Sequence, residues 1–338
     1  MNLLYLALVP LVCSLDRAYI DANVTNHSKL IDNHNETFYT TSKILSKPCT
    51  ILAVEFLIDP KLSNNDTEID TAFVCEIHPK DNDGKSGKRI PIKVQSGQMK
   101  ELTQMLNNGT LISGETRYDS TGNYIYGNEL HVFDIDPEKF KVKKRKSKRL
   151  DTGIKPILAI RVTATDYDVE DSADQISDDI FGTYGDPNNL VSQFSACTFG
   201  QLNITTDYDD PNIDAVLAAP GVLNVNINMA LEGSGDSYPL YAIEAAVQRV
   251  AERKLGFELP GPFEQVMIIL HSCRGSQCGY AAYAYIHDWL SVFVESYYKY
   301  TGVLVHELGH NFGLAHSGRA GSGEYTDHSC MVSSCKKI

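Results

Sequence analysis

After its first dozen residues the chain has no apolar run long enough to cross a bilayer, so no transmembrane segment is expected. It has no internal repeat and no low-complexity tract, which excludes solenoid and linker architectures. Basic residues are scarce in the second half. From Leu150 onward there are 24 Asp and Glu against 10 Lys and Arg, while the formal net charge of the whole chain is −13. An acidic half of that kind argues against nucleic acid as a partner. Cysteine is also sparse, at eight in 338 residues, whereas a structural zinc domain is usually four-ligand and Cys-rich. The single Trp, Trp289, is expected in a core.

The first residues, ending at Val12-Cys13-Ser14, form a short apolar stretch that closes on small residues. That pattern predicts a signal peptide over 1–14, although no Lys or Arg precedes the apolar part. Six Asn-x-Ser/Thr sequons agree with export; they begin at Asn23, Asn26, Asn35, Asn65, Asn108 and Asn203. The chain is therefore expected to be secreted, extracellular and glycosylated. Without Cys13 seven cysteines remain, so one thiol is left over. Cys273 with Cys278, and Cys330 with Cys335, can each close a small loop; with Cys49 and Cys75 also paired, Cys197 is the odd one.

One basic run, Lys141-Val142-Lys143-Lys144-Arg145-Lys146-Ser147-Lys148-Arg149, punctuates the chain. It is read as an exposed linker open to processing proteases, with a domain boundary behind Arg149. Residues 15–149 are expected to be β-rich, on the apolar runs Thr50 to Ile58, Thr71 to Ile77, Ile90 to Val94 and Tyr124 to Tyr126, with a turn over Asp119 to Asn123. Residues 150–338 mix strands and helices. Strands are expected over Pro156 to Thr163, Val222 to Ile227 and Val266 to Leu270, and an edge strand over Gly279 to Ile286. A helix is expected from Ser237 to Leu255, ended by Gly256, with Ile243, Val247 and Val250 on its apolar face. A second helix runs from about Thr301 to Phe312.

That second helix carries His306-Glu307-Leu308-Gly309-His310-Asn311-Phe312-Gly313-Leu314-Ala315-His316. Four residues make about one helical turn, so His306 and His310 share a face and can reach one metal at about 2.0–2.1 Å. Glu307 reaches the same place, where a carboxylate can hold and deprotonate a water. Gly313 tolerates positive φ, so the helix can stop there and the chain can turn His316 back as third ligand. Three imidazoles and an open position make a catalytic zinc site.

This string, HExxHxxGxxH, marks the metzincins. Together with Phe194-Ser195-Ala196-Cys197-Thr198-Phe199-Gly200-Gln201-Leu202 and Glu324-Tyr325-Thr326-Asp327-His328-Ser329, it resembles the gametolysin (algal cell-wall autolysin) family, from about Pro156 onward. The resemblance implies an α/β (α+β) metzincin-like catalytic domain, with a twisted mixed sheet and an active-site helix, behind a β-rich pro-domain. It implies a zinc endopeptidase, one Zn2+ per chain, acting on polypeptide substrates such as extracellular matrix or cell-wall glycoproteins. Met331 is the Met-turn candidate. Its surroundings, Asp327-His328-Ser329-Cys330-Met331-Val332, are one residue short of the family pattern and lack its Gly. The catalytic domain is accordingly expected to be C-terminally incomplete. The alternative reading is an inactive secreted zinc-binding relative that acts as a binding protein.

A pro-segment needs a means of blocking the metal. Cys49, in Lys47-Pro48-Cys49, is the candidate zymogen zinc ligand and Cys75 the alternative, against a Cys49–Cys75 disulfide as the favoured reading. The acidic stretches Asp166 to Asp179 and Asp207 to Asp210 could bind calcium, but solvated surface is the expectation. The Gly279 to Ile286 strand is expected to hold an extended substrate by strand addition.

Overall fold

The structure is a computed structural model; it describes residues 42–44, 50–58, 69–77, 88–92, 102, 110–112, 117–121, 130–133, 141–143, 152–231, 240–271, 279–314 and 316. The expected signal peptide, five of the six sequons, Cys49, Ser237, Met331 and residues 144–149 lie outside the described residues.

In chain order the strands are β1 (Ser42–Ile44), β2 (Thr50–Ile58), β3 (Ile69–Ile77), β4 (Lys88–Ile92), β5 (Thr110–Ile112), β6 (Arg117–Thr121), β7 (Leu130–Phe133), β8 (Lys141–Lys143), β9 (Gly153–Thr163), β10 (Leu202–Thr205), β11 (Val222–Asn226), β12 (Gln265–Leu270), β13 (Tyr280–Tyr285) and β14 (Leu290–Val294). The helices are α1 (Ala173–Phe181), α2 (Leu190–Cys197), α3 (Pro211–Asp214), α4 (Leu240–Leu255) and α5 (Thr301–Asn311). Strands β1, β6 and β7 form a small sheet. The rest belong to one eleven-stranded sheet, whose main path is β10-β9-β12-β14-β13-β2-β3-β4. β11 also pairs with β9, parallel, with Val222 opposite Ala159. β9, β12 and β14 are parallel, β13 runs against β14, and β2 runs against β13. This is a mixed α/β fold with a mostly sheet core.

The core has two faces. On one, α4 sets Ile243, Val247 and Ala251 against Leu158, Ile160, Val266 and Ile268. On the other, α1, α2 and α5 set Ile176, Phe194, Leu304 and Leu308 against Ile157, Ala159, Met267 and Ile269. The middle strands therefore need apolar side chains in both directions, and all six residues of β12 are buried. Each Val, Ile or Leu so buried contributes about 1.5–3 kcal/mol.

β13 departs from a plain apolar run. Tyr283 and Tyr285 pack on the α4 side, while Ala282 lies in the core on the α5 side. Large residues on one face and small ones on the other let α5 come close to the sheet. The helix expected over Ser237 to Leu255 is described from Leu240 and ends at Gly256, whose φ is +82°.

Three expectations need correction. The segment Asp119 to Asn123 was expected to be a turn, but Asp119 to Thr121 are strand residues whose period-two backbone pairs with β7. The basic run begins in β8, where Lys141-Val142-Lys143 pairs with β5, so its first part is a strand and not a loop. β13 is no edge strand, because β2 covers its outer side with Glu55 opposite Ala284.

Candidate metal centre

α5 is anchored before it is functional. Its C-terminus is closed by Gly313, with φ +83°, whose N–H donates to His310 O at 2.8 Å, while the Leu314 N–H donates to Gly309 O at 2.9 Å. That crossed pair is a Schellman closure, and it needs a residue free to adopt positive φ. A Cβ on Gly313 would also meet the His287 ring at 1.8 Å, so both the torsion and the space demand glycine. The Asn311 side chain, itself buried, donates to Tyr285 O and Leu290 O, both at 2.9 Å, and so ties the helix to β13 and β14. The His287 N–H donates to His310 O at 2.9 Å.

The turn behind Gly313 returns His316 to the helix face. His306, His310 and His316 converge, with His310 Nε2 at 3.1 Å from His306 Nε2 and at 3.1 Å from His316 Nε2. His310 Nδ1 lies 3.0 Å from Leu314 O and donates to it, which leaves a lone pair on Nε2. Burial, reinforced by neighbouring His306 and His316 against the opposing charge of Glu55, pushes His310 down to about 3; burial does the same for His316. Both imidazoles are therefore neutral donors of a lone pair.

Such a cluster fits a metal. Three ligands at about 2.0–2.1 Å in a tetrahedral arrangement stand roughly 3.3 Å from one another, close to the nitrogen separations here. Among the described residues these three histidines form a group whose ligand atoms all lie within 4.8 Å of one another, close enough to share an ion. Two buried carboxylates face the same place. Glu307 is 1% exposed, and neither of its oxygens has a hydrogen-bond partner among the described residues. Burial, and then the nearby Glu55 carboxylate, pushes Glu307 well above the usual carboxylate range. Glu55 Oε2 sits 2.8 Å from His316 Nε2 and 3.3 Å from His310 Nε2. Burial raises Glu55 too, against the pull of His310. Carboxylates and imidazole lone pairs crowded into a dry site are stabilised together by one cation.

A second buried polar group lies on the α4 side of the sheet. Glu244 of α4 accepts from Tyr283 Oη at 2.6 Å and from Tyr285 Oη at 2.9 Å. Arg89 of β4 reaches in from the N-terminal half. Its Nη2 donates to Asp288 at 2.6 Å, its Nη1 lies 3.7 Å from Glu244, and its guanidinium stacks 4.0 Å above the Tyr285 ring. Trp289, expected in the core, is partly buried and lies 5.4 Å from the same guanidinium.

The structure thus brings together His306, Glu307, His310, Gly313 and His316. Cys49 and Met331 are outside the described residues. Cys75 is disulfide-bonded, so it is no thiolate for the metal, and Cys197 is an exposed thiol. The acidic stretches find protein partners. Asp178 accepts from the Tyr184 and Asp186 N–H groups, and Asp171 holds Tyr298 and Lys299. Sequence reasoning missed Glu55, Arg89 and Glu244. For Glu55 there was a signal: it is the one ionisable residue in the nine-residue apolar strand Thr50–Ile58.

Three converging imidazoles beside a buried carboxylate make the site of a metal-dependent hydrolase. The chain belongs to the gametolysin peptidase M11 family, whose model matches residues 157–336, and it is thereby a metallopeptidase. The family implies a metal and a polypeptide substrate. No curated protein and no solved structure matches the chain.

Proposed function

We propose that the chain is a secreted zinc endopeptidase of the metzincin type, made with a signal over 1–14 and a β-rich pro-region over 15–149, its catalytic domain running from residue 150. His306, His310 and His316 hold the zinc, and Glu307 is the general base. The observation that carries this reading is the convergence of His306 and His316 Nε2 on His310 Nε2, each at 3.1 Å, together with the buried, unpartnered Glu307 carboxylate on the same helix. When bound, zinc supplies a Lewis acid for the scissile carbonyl and favours ionisation of water at neutral pH. Glu307 accepts the proton of the attacking water and delivers it to the leaving amine. Its burial keeps bulk water from the proton it holds, and Asn311 fixes the helix that carries it. An extended substrate is held along β13, the strand nearest the helix. Extracellular matrix or cell-wall glycoproteins suit a secreted enzyme of this family.

Two substitutions test the reading. His310→Ala should remove most of about one equivalent of zinc from purified protein. Glu307→Gln should keep the zinc and slow hydrolysis of an unfolded protein by at least about 10²-fold, on material processed behind Arg149. Unchanged zinc content in the first variant, or unchanged hydrolysis in the second, overturns the assignment. A binding protein would hydrolyse nothing in either form.

A further inference from the structure

The strand next to the active-site helix is covered by a part of the chain that precedes both the family match and the basic run. β2 lies antiparallel on β13, in a register that places Val54 opposite Tyr285, Glu55 opposite Ala284 and Phe56 opposite Tyr283. Side chains alternate along a strand. Leu52 and Val54 enter the core on the α4 side, so Ile51, Ala53 and Glu55 point to the side of α5. The strand thus directs its one ionisable side chain at the three imidazoles.

Glu55 is 8% exposed, and its Oε2 has no hydrogen-bond partner among the described residues. The atoms it faces are the Nε2 of His316 at 2.8 Å and of His310 at 3.3 Å. His310 Nε2 carries a lone pair, because Nδ1 is the donor to Leu314 O. At the His310 contact an acceptor faces an acceptor, an arrangement that a dry site disfavours unless a cation binds both. The cross-strand partner of Glu55 is Ala284, one of the smallest side chains.

On the zinc reading given above, we propose that Glu55 is a further ligand of the same metal, and that β2 occupies the place along β13 where an extended substrate would pair. In this form the full chain is latent. The Glu55 carboxylate holds the position that a water needs, and the hydrogen-bonding edge of β13 is used by the chain itself. The blocking role that the sequence suggested for Cys49 passes to a carboxylate in the strand that follows it. β4 adds a latch, because Arg89 inserts between Asp288, Glu244 and the Tyr285 ring. Cutting the chain behind Arg149 severs the tether, and activity appears only when β2 also leaves β13.

The test uses the full uncut chain loaded with cobalt(II), whose visible spectrum reports its ligands, and acetohydroxamate, a small chelator that needs open coordination positions. Metal content is measured first. A wild type that holds no cobalt, or that holds it equally well as His310→Ala, refutes the zinc reading itself. With cobalt held by the triad, Glu55→Ala should change the spectrum. It should also bind acetohydroxamate at least about 100-fold more tightly than wild type, the factor set by a site that is open about 1% of the time. Glu55→Gln has the same size, keeps β2 in place and guards against a folding defect; it should shift the spectrum in the same direction and tighten binding less. Identical spectra and identical acetohydroxamate affinity in wild type and both variants overturn the role of Glu55 while leaving the zinc reading intact.

Discussion

Gly313 and Gly256 make a controlled experiment built into the chain. Both follow a helix, with φ of +83° and +82°. A Cβ on Gly256 meets nothing within 4 Å, whereas one on Gly313 meets the His287 ring at 1.8 and 1.9 Å. Alanine at either site carries the left-handed backbone penalty, about 1–2 kcal/mol. At Gly313 the imidazole must also move, and it is not free to do so easily. His287 itself has φ of 58°, and its N–H is bonded to His310 O at 2.9 Å. Overpacking of that kind adds about 1–3 kcal/mol. Gly256→Ala should therefore cost about 1–2 kcal/mol and Gly313→Ala about 2–5 kcal/mol, read as urea midpoints of the metal-free chain at unchanged slope. Only Gly313→Ala should also weaken zinc binding in a chelator competition, because the turn it distorts is the one that returns His316. Equal destabilisation by the two substitutions, or equal zinc affinity, would refute the idea that His287 and the turn together set the third ligand.

Arg89→Met should destabilise the full chain by about 3–5 kcal/mol in the same urea measurement, because it leaves buried Glu244 and Asp288 without their cation. Adding Glu244→Gln should recover part of that loss; strictly additive costs would show that the two residues do not interact. Asp171 gives a pH test. Partial burial pulls its carboxyl up, but hydrogen bonds from Lys299 and Tyr298 and the charges of Lys299 and Arg161 outweigh that and hold it below its usual value. A lowered folded pKa contributes stability that is present above the unfolded value of about 3.9 and lost as pH falls through the folded one. Asp171→Asn should therefore flatten the acid limb of the stability curve below about pH 4 and lower stability at neutral pH. An acid limb parallel to that of wild type would show that the bonds to Asp171 contribute nothing.

The two histidines on α5 were legible as a pair because helical periodicity is local. A spacing of four residues places His306 and His310 on one face whatever surrounds the helix, and Gly313 announces the turn that His316 needs. The strands were legible for the same reason. β12 and β9 are short apolar runs with turn residues around them, and β2 matched its expected bounds, Thr50–Ile58. What the sequence hid was adjacency. Gly279 to Ile286 alternates small and aromatic residues, a pattern that suits an edge, yet nothing local says that a strand more than 200 residues earlier pairs with it. Arg89 was invisible as a site residue on that account, and Glu55 stood out only as a lone charge in an apolar strand, since the partners of both lie far along the chain. Asp119 was misread because its neighbours have turn chemistry, and cross-strand pairing with β7 outweighed that preference.

Asn311 has a bearing on how the enzyme can vary. Its one amide group bonds the backbone of both β13 and β14, so the helix that presents His306 and His310 is pinned to the hairpin at two points. The distance from the histidines to the strand is then a fixed dimension of the molecule, like the gap of a ruler's jaws. A polypeptide laid along β13 can slide by whole residues, but it cannot come nearer to the centre or draw back from it. On the proposed function, selectivity among substrates would be left to whatever flanks the strand, while the depth at which a peptide bond meets the histidines would stay constant.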